Sequence, residues 1–164
     1  MPLFAPRPLF LLMFLACLAI VGGALYMEHV LGQEPCPLCI IQRIEVIAMG
    51  LVCLLAAVHN PAGVGRRVYA GLALFIAAAG VATAGRQVYL TTLPADQVPA
   101  CLPPLDYMLE AFPLWEILSK MLSGTADCAK VDWTLLGLSI PELSLLAFCG
   151  LALVALMQLL RRVA

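Results

Sequence analysis

Charge is what this sequence has least of. Of its 164 residues only 12% are charged, 63% are hydrophobic, and the mean hydropathy is +1.02. Soluble domains carry about a quarter charged residues and about half apolar ones, so the balance argues against a soluble domain and for a membrane protein. The chain has no basic run and no interleaving of aromatic with basic residues, which leaves nothing to hold nucleic acid. Histidine is nearly missing: His29 and His59 stand alone, each reading as a lone interfacial residue. There is no second C-x-x-C to match Cys36-Pro-Leu-Cys39, so a zinc ribbon lacks its second knuckle. Ile40 stands where C-x-x-C-H would need histidine, which argues against a c-type haem.

What the chain does contain is four long apolar runs: Leu9–Tyr26, a stretch from Ile40 to Val58, Val68–Gly85 and Leu143–Leu160. A helix crossing a ~30 Å hydrocarbon core needs about 20 residues, and each run reaches that once interfacial residues are included. The expected fold is an all-α membrane protein, a bundle of four transmembrane helices at about 9–27, 40–58, 68–86 and 142–160. The first run is also weighed as a cleaved signal peptide, because Arg7 precedes it and Gly22-Gly23-Ala24 are small. Its length favours a retained anchor.

The few charges are sorted by segment. Arg7, Arg66, Arg67, Arg161 and Arg162 lie at the two ends and in the 59–67 connection, with no acid among them. Nearly all the acids fall in or beside the 28–39 and 87–140 connections. The positive-inside rule then puts both termini and the 59–67 loop in the cytoplasm, with the other two loops outside. Pro94, Pro99, Pro103 and Pro104 argue against a helix from Leu93 to Leu105. From Pro113 to Ser123 the spacing changes to that of an amphipathic helix, with Glu116, Ser119, Lys120 and Ser123 on one face. Too short to span, it suits the headgroup layer, with Trp115 at the interface; the plainer alternative is a helix packed on its own loop.

Depth divides the seven cysteines. Cys17, Cys53 and Cys149 sit inside apolar runs, where cysteine behaves as a small hydrophobe. Cys36, Cys39, Cys101 and Cys128 all lie in outward loops, two per loop, which implies two disulfides in an oxidising compartment. A loop staple is a sufficient reading of the distant pair alone. It is a poor reading of Cys36 and Cys39, because so small a ring removes little chain entropy. Reactivity explains that pair better. Cys39 stands at the start of a helix, where the dipole favours a thiolate. Arg43 follows one turn deeper on the same face, close to a sulfur at a depth that a lipid-soluble redox molecule reaches. The plainer reading of Arg43 is a snorkelling arginine paired with Glu45.

With C-P-L-C-x-x-x-R on its second helix, a second cysteine pair in a long outer loop and four spans, the chain resembles the disulfide bond formation protein B family, DsbB. The resemblance covers nearly the whole chain: Cys36-Pro-Leu-Cys39-Ile-Ile-Gln-Arg43, Pro99-Ala-Cys101, Phe112-Pro-Leu, Asp127-Cys128 and Trp133-Thr-Leu-Leu-Gly-Leu-Ser-Ile-Pro141. It implies a thiol oxidase of the bacterial inner membrane with its redox cysteines in the periplasm. A reduced DsbA-type thioredoxin-fold oxidase would attack a Cys101–Cys128 disulfide at Cys101. Cys128 would then attack Cys36, and Cys39 would pass electrons to ubiquinone or menaquinone, with Arg43 at the quinone site. One departure stands out: Gln87 aligns where some members carry a histidine, which puts a proton-carrying group there in doubt. Two other readings are a relative of the vitamin K epoxide reductases, which the match from Phe112 to Pro141 disfavours, and a non-catalytic four-helix scaffold.

Overall fold

The computed structural model describes residues 6–94, 96–100, 105–131, 133–135 and 137–161. Four helices are long and apolar enough to cross a membrane: α1 Pro6–His29, α2 Pro37–His59, α3 Gly63–Thr91 and α7 Ile140–Leu160. Between α3 and α7 come three short helices, α4 Leu105–Ala111, α5 Leu114–Ser123 and α6 Ala126–Ala129. A small antiparallel hairpin follows, β1 Thr134–Leu135 with β2 Leu138–Ser139, its turn containing Gly137 at φ 84°. The protein is an all-α, multi-pass membrane protein.

Local chemistry sets the helix ends. Pro37 opens α2, where its missing N–H costs no hydrogen bond, and Asn60 closes it in the left-handed region at φ 45°. Helix α7 begins with a capping box in which Ser139 and Glu142 satisfy each other's free groups, with Pro141 in the first turn. Helix α3 runs beyond the apolar segment at both ends, taking in Arg66, Arg67 and Arg86. Long cationic side chains at helix ends carry their charge out of the hydrocarbon, so the helix extends past the span.

The bundle core lies where α1, α2, α3 and α7 meet. Its large members are Phe10, Met13, Met49 and Phe148, and α3 contributes mainly small residues: Ala70, Ala73, Ala77 and Ala84. Lipid tails are as apolar as the side chains, so helices associate here through close packing rather than water exclusion, and small residues permit the close approach. Gly80 shows the constraint most directly, since a Cβ there would stand 2.2 Å from the Phe148 ring. Cys17 and Cys53 are buried in this core. Leu15, Leu55, Phe75 and Leu153 point outward, as a surface facing lipid requires.

The long connection folds back over one end of the bundle. Helix α5 buries Ile117 and Met121 together with Met108, against Ile40 and Ile41 of α2 and Phe112. Leu114 and Trp115 remain exposed. The apolar surface of α5 is therefore split, one part packed on α2 and one part free. Arg86 of α3 ties down its far end by donating to the Ser123 carbonyl at 3.0 and 3.3 Å.

Candidate active site

The head of α2 sets the first two sulfurs. Because the helix begins at Pro37, Cys36 becomes its N-cap with extended backbone, and its Sγ accepts the Cys39 backbone N–H at 3.4 Å. Cys39, in the first turn, lies with its sulfur 2.9 Å from that of Cys36, which donates to it. Two sulfurs at a helix N-terminus share the positive end of the dipole, which favours sulfur anions.

A third sulfur arrives from the long loop. Helix α5 ends at Gly124, with φ 78° and ψ 170°, and the chain turns there into Thr125, the N-cap of α6. Gly124 rests against Leu90 of α3 and Leu38 of α2, leaving no room for a side chain. Cys128 is thereby buried in one small cluster with Cys36, Leu38 and Leu90. Its sulfur packs beside Cys36 and has Thr125 Oγ1 at 3.7 Å. Cys36, helped by the backbone N–H groups of Leu38 and Thr125, brings the Cys128 thiol down to about 6 against the cost of burial. Cys36 is pushed the other way, by the neighbouring sulfurs of Cys128 and Cys39 and by its burial.

Cys101 lies outside the described residues. Arg43 does not turn toward Glu45. It reaches across to α1, forming an ion pair with Glu28 and donating to the Ala24 carbonyl at 3.2 Å. Glu45 faces the opposite way and accepts from Thr83 of α3 at 2.8 Å. The pairing of Arg43 with Glu45 is therefore corrected: opposite faces of α2 meet different helices, and each side chain takes the partner on its own side.

Gln87 has a place at the sulfurs that its sequence position did not reveal. Buried on α3, it directs Nε2 to Cys36 Sγ at 3.4 Å and to Cys39 Sγ at 3.3 Å. Gln42 of α2, also buried, donates to the Gln87 Oε1 at 2.8 Å. The available signal was polarity itself: Gln42 inside an apolar run three residues after Cys39, and Gln87 just past the end of another. On the loop side, an open cleft of about 340 Å³ is lined by residues 32–37 with Asp127 and Lys130, and Cys36 lies in its wall.

Comparison with known proteins decides the family. The family model described as disulfide bond formation protein DsbB matches residues 6–158. This chain belongs to the DsbB family. It is 60% identical to disulfide bond formation protein B of Stutzerimonas stutzeri over 99% of both chains. It is 58% identical to disulfide bond formation protein B 1 of Pseudomonas aeruginosa, again over 99% of both. With the corresponding protein of Marinobacter nauticus it shares 53% identity, over 95% of this chain and 93% of that one. As a DsbB-family member the chain serves disulfide bond formation, and its chemistry is that of a disulfide oxidoreductase.

Proposed function

We propose that this DsbB-family chain reoxidises a DsbA-type dithiol oxidase outside the bacterial inner membrane and delivers the electrons to a membrane quinone. The observation that carries this reading is the burial of Cys128, from the long loop, against Cys36 at the head of α2. A structural staple needs no third sulfur beside it. A thiol–disulfide relay does, because each step requires a thiolate next to the disulfide it attacks.

The relay runs as follows. The partner's thiolate attacks Cys101 of a Cys101–Cys128 disulfide, and Cys128 leaves as a thiolate, the form its surroundings favour. The partner's second thiol then displaces Cys101, completing the partner's own disulfide. Cys128 attacks Cys36 of the Cys36–Cys39 disulfide, forming Cys36–Cys128 and releasing Cys39 as a thiolate. Attack of Cys101 on Cys128 restores the loop disulfide and leaves Cys36 and Cys39 reduced. Two electrons and two protons thereby pass inward from the partner to the pair at the head of α2.

A quinone, when bound, accepts two electrons and two protons and so regenerates the Cys36–Cys39 disulfide. The residues suit such a ligand. Cys39 lies just inside the span, Arg43 offers guanidinium donors one turn deeper, and Ile44 beside it is exposed toward lipid. Arg43 would hold a quinone oxygen, while the lipid-facing side chains would meet an apolar tail. Cytoplasmic termini and outward cysteines follow from the distribution of arginines, and the exposed Trp115 on α5 fits a place in the headgroup layer.

Peptide mapping tests the step on which the relay turns. The fully oxidised chain, with all four loop cysteines present, is incubated with a reduced partner whose second cysteine is replaced by serine, so that its mixed disulfide with Cys101 persists. After an acid quench, a Cys36–Cys128 linked peptide with a free Cys39 thiol is expected. Its absence, with the partner joined to Cys101 and the Cys36–Cys39 disulfide still intact, would refute exchange between the loops.

A further inference from the structure

The two sulfurs at the head of α2 both face one amide. Gln87 carries two N–H bonds on Nε2 and sends one toward Cys36 Sγ at 3.4 Å and one toward Cys39 Sγ at 3.3 Å. An amide has two ends of opposite polarity. Turned over, Gln87 would present a carbonyl oxygen to the sulfurs, repelling a thiolate instead of stabilising it. Gln42 decides between them, because its Nε2 donates to Gln87 Oε1 at 2.8 Å and so leaves the N–H end for the sulfurs. With Gln42 6% and Gln87 4% exposed, water does not replace either bond.

The geometry points to Gln42 and Gln87 as a positioning pair that sets the redox balance of Cys36 and Cys39: Gln42 locks the amide, and Gln87 supplies two donors to the reduced sulfurs. The inference rests on the reading of Cys36 and Cys39 as a redox couple. A thiolate accepts hydrogen bonds far better than a disulfide sulfur, and bonds to a charged acceptor are roughly twice as strong as neutral ones. Fixed donors therefore favour the reduced pair, which makes its disulfide the stronger oxidant. The pair carries no titratable proton of its own. On the helices, Arg43 turns to Glu28, Arg86 to the Ser123 carbonyl and Glu45 to Thr83, while Glu34, Asp127 and Lys130 line the cleft beside Cys36. Among the described residues, the loop thiol packed against the sulfurs is Cys128.

The test is a glutathione titration of the full chain in detergent, with Cys101→Ser and Cys128→Ser so that one loop couple remains. In the measured reaction two glutathione thiols give up two electrons and two protons, forming glutathione disulfide. The Cys36–Cys39 bond breaks and both sulfurs become thiols. Gln87→Met, close in size and without donors, should lower the equilibrium constant about tenfold, equivalent to about 30 mV toward a more reducing couple. Gln42→Met should lower it about threefold, the effect of releasing the amide to turn. The double variant should match Gln87→Met alone, because Gln42 acts through Gln87. Gln87→Glu, which keeps the shape but offers acceptor oxygens, should lower the constant at least as far as Gln87→Met. An unchanged constant in Gln87→Met and Gln87→Glu, or additive losses in the double variant, would overturn the assignment. Failure of the parent chain to form a Cys36–Cys39 disulfide would overturn the redox reading and this inference with it. A parent that titrates while the glutamine variants stay in place would overturn the inference alone.

Discussion

Replacing Gly124 with alanine should separate the two cysteine loops chemically while leaving the helical bundle assembled. Gly124 adopts φ 78° and ψ 170° where α5 ends, a region nearly reserved for glycine. Holding an L-residue there costs about 1–3 kcal/mol. The new Cβ would also lie 2.3 Å from Leu90 Cδ1 and 3.1 Å from Leu38 Cδ1. Both leucines are 0% exposed, so neither side chain has free space to move into, and overpacking adds about 1–3 kcal/mol. Even the lower sum, about 2 kcal/mol, is about thirtyfold in an equilibrium constant. The cost falls on the contact that holds α6, and hence Cys128, against Cys36. In a Cys39→Ser, Cys101→Ser background, formation of the Cys36–Cys128 disulfide against glutathione should become at least about thirtyfold less favourable. The Cys36–Cys39 couple, measured in a Cys101→Ser, Cys128→Ser chain, should change by less than about threefold, since Gly124 meets the head of α2 only at the tip of the Leu38 side chain. An unchanged interloop constant, or an equal loss in both couples, would refute this account of how Cys128 is placed.

Three further outcomes follow from the geometry. In the reduced protein, the ultraviolet thiolate signal lost on Cys128→Ser should titrate near pH 6, present above that pH and disappearing below it; Cys36→Ala, which removes the main stabilising neighbour, should move the midpoint upward. Arg43→Met should raise the KM for a soluble quinone about tenfold, the effect of losing a charge-assisted bond, whereas Glu28→Gln, which frees the guanidinium from its ion pair, should lower it. Gly80→Ala should lower the thermal midpoint of the detergent-solubilised protein, because the added Cβ meets the Phe148 ring at 2.2 Å and overpacking of this kind costs about 1–3 kcal/mol; an unchanged midpoint would show that the α3–α7 contact tolerates slack.

The four spans were legible because hydrophobic length is a property of each segment alone. The start of α2 was legible less closely: the expected span began at about residue 40, and the helix begins at Pro37. Partners across helices were not. Glu45 and Glu28 were both available to Arg43, and the choice depended on which face of α2 meets α1 and which meets α3. Gln42 and Gln87 are 45 positions apart, and only the packing of α2 on α3 brings them together. The hairpin at 134–139 and helix α4 went unread because two-residue strands and a seven-residue helix carry almost no periodic signal. Helix α5 was read correctly as amphipathic, but its spacing did not show that part of its apolar surface packs on α2.

The most direct test of the central claim is electron transfer itself. Purified protein in detergent is mixed with a reduced DsbA-type oxidase and a soluble quinone, and quinone absorbance is followed beside the partner's thiol content. One quinone should be reduced for each dithiol oxidised, and Cys39→Ser should stop the reaction. Quinone reduction at the same rate in Cys39→Ser, or dithiol oxidation with no quinone consumed, would contradict the account.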